Sequence, residues 1–456
     1  MHSHWRDCQE WSKIGLPLST TSNEACKMYD ATVTQYVGWY QDDSVGGMEG
    51  SMTKMMQADP DFVMGKLIGA WFRLGGKSVH TDENLKQYVE DLVRSSQSNS
   101  LTSREKQHVD AIQLWAERDM QGACRMWENI LLEHPTDMLA VKFAQMSYFG
   151  LGERVQMRDS VLRVLPAWKP TMPLYGYLHG MEAFGLVQTN FYKQAEQAGR
   201  KALELNPKDI WGRHAICHVM EMEGRQKEGI AFLSSSVNDW NKHSLTGHCY
   251  WHWALYHMER GEYHAALDIY DTHYRGRKDN YLADPCSLLF RLNMEGVDVA
   301  DRWDDTYDMC KPFLDERITV FNDVHVLLSC LGAKQQDSTK KLMESLRSFV
   351  SEEGSQSVVA KEVGVPVCEA LVAYDEGDYA RAVDLVAPVR YRVGSIGGSN
   401  AQLDVIRLFL INAAIRSPNK QHQNLARALL VERKALKDNS PLTDRLMAAA
   451  AAALPL

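Results

Sequence analysis

The sequence predicts an all-α fold, an α-solenoid in which helical hairpins stack into a right-handed superhelix. Three observations carry the prediction. Apolar residues recur at spacings of three and four, the mark of helices that bury one face. From Arg104 onward a helix–turn–helix unit of about 34 residues recurs, with small and bulky residues at fixed places. Gly and Pro fall where that unit needs its turns.

Taken in order, residues 1–20 read as an irregular lead-in anchored by Trp5, Trp11 and Ile14. Ser22 is placed as an N-cap, and Ala25, Met28, Tyr29, Thr32, Val33 and Tyr36 line one face of the helix that follows. Gly46-Gly47 breaks it. A second helical stretch runs from Asp59-Pro60 through Met64, Leu67 and Trp71 to Gly75-Gly76, and a third from Asp82 to Arg94. The Ser/Asn-rich run Ser95–Ser103 is a loop. Residues 1–103 are therefore expected to form an N-terminal helical cap, 104–446 the superhelix, and 447–456 a C-terminal tail.

Units begin at Arg104, Gly176, Ile210, Gly247 and Val363. The unit at Gly247 shows Ala254, Gly261, Tyr263, Ala266 and Tyr270 at the diagnostic places; that at Val363 shows Ala370, Gly377, Tyr379 and Ala382. Small residues let the two helices of a hairpin approach, and larger ones fill between hairpins. This is the tetratricopeptide pattern. Residues 138–170, 287–315, 321–350 and 404–441 read as degenerate hairpins, about nine hairpins in all.

Composition narrows the function. The 456 residues carry a formal charge of −9, with 45% hydrophobic and 24% charged residues. An ordinary globular protein is indicated. Binding to a phosphate backbone, which needs a basic face, is not expected. Nine scattered cysteines without a Cys-x-x-Cys pair argue against a disulfide framework or a thiolate metal site. No signal peptide is read in Met1–Glu10, and no apolar run approaches a membrane span. A soluble cytoplasmic protein is expected.

The candidate site lies in the units at Ile210 and Gly247. In such a repeat the first helix lines the concave side, with positions 2, 5, 9 and 12 pointing inward. That register turns Trp211, His214, His218 and Glu221 inward, and His248 and Trp251 beside them with His252 adjacent. His257 falls at a packing position. Two histidines at i and i+4, with Glu221 a turn beyond, suit one metal ion, or a carboxylate orienting His218. Asn322 and His325 join the lining if the superhelix curls tightly, and Tyr177 and Phe184 are read as apolar walls. Cys217 and Cys249 read as core, so no nucleophile is evident.

Gly394–Asn400 is a Gly-rich loop opening a helix. It reads either as an ordinary turn capped by Ser399 or Asn400, or as a loop that enters the groove with Gln402 and Asp404 and offers free N–H groups to an anion. A carboxylate clamp for peptide C-termini is disfavoured, since Arg213 sits off the inward face.

The runs Trp251-His252-Trp253-Ala254-Leu255-Tyr256-His257, Glu259-Arg260-Gly261-Glu262-Tyr263, Phe321-Asn322-Asp323-Val324-His325 and Gly397-Gly398-Ser399-Asn400-Ala401-Gln402-Leu403-Asp404 resemble the tetratricopeptide repeat protein 38 family, as do Gly224-Arg225 and Leu18–Ala25. The resemblance spans nearly the whole chain and implies an all-helical repeat protein without implying an activity. The function expected is recognition of a peptide, protein or small ligand in a concave groove. Its lining would include Trp211, Tyr177, Trp251, His252, Asn322, Ser399, Asn400, Gln402 and Asp404. The alternative is an enzyme or metal protein working through His214, His218, Glu221 and His248, opposed by His325. No cofactor is predicted, a divalent metal at His214, His218 and Glu221 being left open. Neither nucleic acid nor membrane is expected as partner.

Overall fold

The computed structural model describes residues 4–97, 100–277 and 281–453. Among them the chain is helical throughout, with one isolated bridge between Tyr40 and His243 as its only β pairing. None of these helices is long and apolar enough to cross a membrane.

Nine hairpins follow one another among the described residues. Five match the expected units: Ser103–Ala116 with Met120–Glu133, Tyr175–Gln188 with Tyr192–Leu205, Ile210–Met222 with Gln226–Ser234, Thr246–Glu259 with Tyr263–His273, and Val365–Asp375 with Tyr379–Val386. The four degenerate stretches are hairpins too. They comprise Met138–Leu151 with Arg154–Val164, Ala283–Met294 with Arg302–Cys310, Val320–Gly332 with Gln336–Phe349, and Asn400–Arg416 with Lys420–Leu436. Local chemistry sets the ends. Asp137 and Asp209 cap their helices through side-chain oxygens. Gly224, Gly261 and Gly377 hold the positive φ that the inter-helix turn needs.

The N-terminal region departs from expectation at one place. The pair Gly46-Gly47 opens a helix, Gly47–Ala58, where a break was predicted. That segment has a weak apolar stripe. It is held by packing on helix Asn23–Gly38, where Ser51 Oγ lies 2.9 Å from Thr32 Oγ1 and 3.1 Å from Gln35 Nε2. The next helix accordingly starts later, at Val63. Residues 98–99 of the Ser95–Ser103 loop lie outside the described residues. At the other end, helix Pro441–Ala453 takes up most of the stretch expected as a tail; 454–456 lie outside the described residues.

The array closes on itself, and this replaces the expected open groove. The inner helix of the ninth hairpin, Asn400–Arg416, packs against the inner helices Ile210–Met222 and Ala283–Met294. Arg291 donates to the carbonyl of Ala401 at 2.7 Å, and Gly398 N–H to that of Phe149 at 3.2 Å. The chain after the ninth hairpin is pinned by Glu259, whose carboxylate accepts from Lys437 at 2.9 Å and from the Leu442 N–H at 3.1 Å. From the N-terminal side, Ser244 N–H donates to Trp39 O at 2.8 Å, and Glu316 accepts from the Ser78 N–H at 3.0 Å. What remains of the concave side is two cavities of about 300 and about 290 Å³.

Candidate functional site

Helix Ile210–Met222 carries the first two histidines. Every residue from Ile210 to Glu221 is buried, because Gly180 and Gly212 let the neighbouring hairpin come within backbone contact. A Cβ on Gly180 would stand 2.9 Å from Gly212 N, and one on Gly212 2.8 Å from Ala202 Cβ. Helix Thr246–Glu259 lies alongside and carries the other two. His214, His218, His248 and His252 converge at this contact, with one ring nitrogen from each lying within 4.8 Å of all the others. Their exposures are 2%, 0%, 8% and 0%.

The geometry inside the cluster is close. His214 Nε2 and His218 Nε2 are 2.7 Å apart, and His218 Nε2 and His252 Nε2 are 3.2 Å apart. Two carboxylates stand behind it. His248 Nδ1 is 2.9 Å from both oxygens of Asp284, and His252 Nδ1 is 2.9 Å from Glu221 Oε2. An ionised carboxylate accepts, so beside it each of these imidazoles carries its proton on Nδ1, which for His252 leaves the lone pair of Nε2 turned toward His218. Burial, and then the neighbouring imidazoles, push His214, His218 and His252 well below the usual histidine range, with Lys142 adding to the effect at His214 and Arg291 at His252. These three imidazoles are therefore held in the neutral form, the form that ligates metal. Burial also pushes Glu221 up to about 7, against the pull of Lys437 and Arg291.

The second layer fixes these rings. Trp251 stacks on His248 with centroids 5.1 Å apart and planes at 14°, and its Nε1 donates to Ser287 Oγ at 3.0 Å. Phe184 packs against His214 at 5.1 Å and Trp211 at 4.8 Å. Trp39, which ends helix Asn23–Gly38 in a left-handed conformation with φ 57°, stacks on Trp211 at 5.6 Å. Behind that pair lies Lys142, fully buried, its ammonium 4.6 Å from the ring centroids of both Trp39 and Trp211 and 5.4 Å from that of Tyr36.

The 300 Å³ cavity opens onto the cluster. His214, His218 and His248 form part of its wall, and His252 stands behind them. Aromatic rings from Trp39, Trp71, Trp115, Phe184 and Trp211 join them in the lining. Of the residues expected to line a ligand site, Trp211, Asn322, Ser399 and Gln402 border this cavity.

The others are placed differently. Tyr177 lies over Gly38 and its hydroxyl accepts from Asn206 Nδ2 at 3.3 Å, which leaves the wall to Phe184. Trp251 backs His248 without reaching the cavity. Asn400 turns to Gln188, its N–H donating to Oε1 at 2.7 Å. Asp404 faces the second cavity and pairs with Arg433 at 2.8 Å. His325 lies outside the cluster, its Nδ1 2.8 Å from the carbonyl of Phe321, one turn back on its own helix. Glu221 orients His252 in place of the expected His218, because helix Thr246–Glu259 runs beside it. The start of helix Asn400–Arg416 offers no free anion site. Ser399 and Gln402 cap each other reciprocally, at 3.0 and 3.1 Å. Gly397 and Gly398 are needed for contact, since a Cβ on either would stand 2.2 Å from Gly150 O and 2.4 Å from Phe321. The loop is thus a partition, with Gly398 facing the first cavity and Gly394 the second.

Asp284 was not singled out in the sequence. Its helix belongs to a degenerate repeat that starts at Ala283, four residues before the stretch read as helical, and the inward position it occupies was the signal. Trp39 and Lys142 gave no signal, since both act across the closure. Cys217 and Cys249 are fully buried, and burial pushes the Cys217 thiol up to about 12 and that of Cys249 well above its usual value. Neither offers a thiolate.

No family model matches the chain. Among solved structures it is similar to a chain of the APC/C hetero-tetramer Cut9-Hcn1, with 11% identity over 95% of this chain and 77% of that one and a TM-score of 0.45. It is also similar to an IFIT1 monomeric mutant with Gppp-AAAA, at 11% identity over 95% of this chain and 96% of that one, TM-score 0.39. The human IFIT1 dimer with m7Gppp-AAAA gives 10% identity over 95% and 94%, TM-score 0.37.

Proposed function

We propose that the chain is a transition-metal protein: His214, His218, His248 and His252 hold one divalent ion, and the ion keeps a face open to the aromatic cavity, where a small and largely apolar ligand binds. The observation that carries this reading is the convergence of one ring nitrogen from each of four buried histidines, Nε2 in His214, His218 and His252, with carboxylates on the Nδ1 atoms of His248 and His252. An ion about 2.0–2.1 Å from four imidazole nitrogens spaces them about 3.3–3.4 Å apart. The distances here, 2.7 and 3.2 Å between neighbours and 4.8 Å at most, bracket that value. A carboxylate on the far nitrogen of a ligating histidine is the usual outer support of such centres.

Four neutral nitrogens leave the ion its full positive charge, and imidazole suits zinc, copper, iron and nickel. Three of the four ligands border the cavity, so a ligand entering there would reach the ion as a fifth donor, by expansion of the four-coordinate shell. Polarisation of a donor atom on that ligand is the chemistry such a centre supplies. The cavity is small, about 300 Å³, which favours a small molecule over an extended peptide. The resemblance to the tetratricopeptide repeat protein 38 family belongs to the same proposal. The stretches that carry it supply His252 and Trp251 to the centre and the Gly397–Gln402 partition to the cavity wall.

Cobalt(II) substitution tests the reading. Addition of one equivalent of cobalt(II) is expected to give the intense visible bands of a four-nitrogen site, lost in His214→Ala plus His218→Ala and shifted by 4-phenylimidazole entering from the cavity. Bands identical to free aqueous cobalt would contradict it.

A further inference from the structure

The second cavity, of about 290 Å³, lies across the Gly394–Gly398 partition from the histidines. Its floor is apolar, made by Leu403, Ile406, Leu410 and Leu429. Its charges do not balance. Asp404 is taken by Arg433 at 2.8 Å, Glu432 by Arg390 at 2.9 Å, and Glu221 by His252 at 2.9 Å, while Lys437 reaches Glu259 at 2.9 Å. Two further arginines, Arg154 and Arg407, line the same space, and among the described residues neither has a carboxylate within ion-pair distance. Arg154 bonds only a carbonyl, that of Gly398 at 3.4 Å, and its Nε is buried without a partner. Burial and the nearby charge of Arg407 lower its affinity for its own proton. Two unneutralised cations over an apolar floor, in a chain of net charge −9, form a fixed positive site with greasy walls. Tyr391 and Leu436, 81% and 75% exposed, extend the apolar surface outward at its rim.

We propose that this cavity binds an amphiphilic organic anion, a carboxylate with a medium-length apolar tail. The head lies between Arg154 and Arg407, and the tail runs along Leu403, Ile406, Leu410 and Leu429. A guanidinium presents two parallel N–H groups to a carboxylate, and burial of the tail supplies the affinity that a bare anion lacks. The site is separate from the metal centre and does not depend on it.

The test is calorimetric titration of the full chain with sodium octanoate. Binding to one site per chain is expected. Arg407→Gln, an exposed residue without partners whose loss leaves the fold intact, is expected to weaken it by at least about tenfold. Octan-1-ol and acetate, lacking the charge and the tail respectively, are expected to bind at least as much more weakly. Protein stripped by a chelator is expected to bind octanoate unchanged. Equal affinity of Arg407→Gln and the parent chain would overturn the proposal. So would octan-1-ol matching octanoate, loss of octanoate binding on stripping, which would place the anion on the metal, or absence of saturable binding.

Discussion

His248 and His252 differ from His214 and His218 in one respect that matters chemically: each has a carboxylate on Nδ1. Asp284 is 1% exposed and has His248 as its counterpart. Asp284→Asn keeps the shape but removes the acceptor charge, so metal affinity measured by competition with a coloured chelator is expected to fall about 10–100-fold. An unchanged affinity would show that His248 is not a ligand. Lys142 is a second residue with a legible consequence. Burial pushes its amine down to about 7 from 10.5, against the pull of Asp209, and three aromatic faces surround its charge. Between those values the unfolded chain holds a proton that the folded chain does not, so this residue makes stability rise with pH across that window. Lys142→Met is expected to remove that slope and, with the loss of its pull on Asp209 set against the gain, to raise stability by about 2 kcal/mol near about pH 6, as read by denaturant unfolding. A slope that survives the substitution would assign it elsewhere.

Helices carry the four histidines, and the Gly397–Gly398 turn is an irregular element that closes one side of the cavity. Gly397 has φ +94° and would put a Cβ 2.2 Å from Gly150 O. Gly397→Ala is expected to cost about 3 kcal/mol and to loosen the partition, lowering the unfolding midpoint. At this scale the repeat register was enough to bring Trp211, His214, His218 and His248 to one lining, because inward positions follow from a 3.6-residue period alone. It failed for Tyr177, which satisfies the same period but packs on Gly38 of the N-terminal region, and for His325, which bonds back to Phe321 on its own helix. It failed for Asp284 because the degenerate repeat hides where its helix begins. Helix Gly47–Ala58 was lost for a related reason: its stability comes from the helix beside it, and its own stripe is faint.

The closure of the whole array was not legible in the sequence. Contacts that join residues more than a hundred positions apart leave no periodic trace, and Gly398 to Phe149, Arg291 to Ala401 and Ser244 to Trp39 are of that kind. They convert a groove into two small rooms. Trp39 is the clearest wall brought in by closure, stacking on Trp211 from the N-terminal region. Trp39→Ala is expected to leave metal content unchanged while speeding metal loss to EDTA several-fold, since the chelator then reaches the open face of the ion. Equal loss rates would mean that the first cavity is not the route to the centre. The central claim is that four buried imidazoles hold a metal, and elemental analysis of the purified full-length chain tests it most directly. Close to one first-row transition-metal ion per chain is expected, and close to none in His214→Ala plus His218→Ala. A parent chain that carries no metal and takes up none from zinc(II), iron(II) or copper(II) solutions would contradict it.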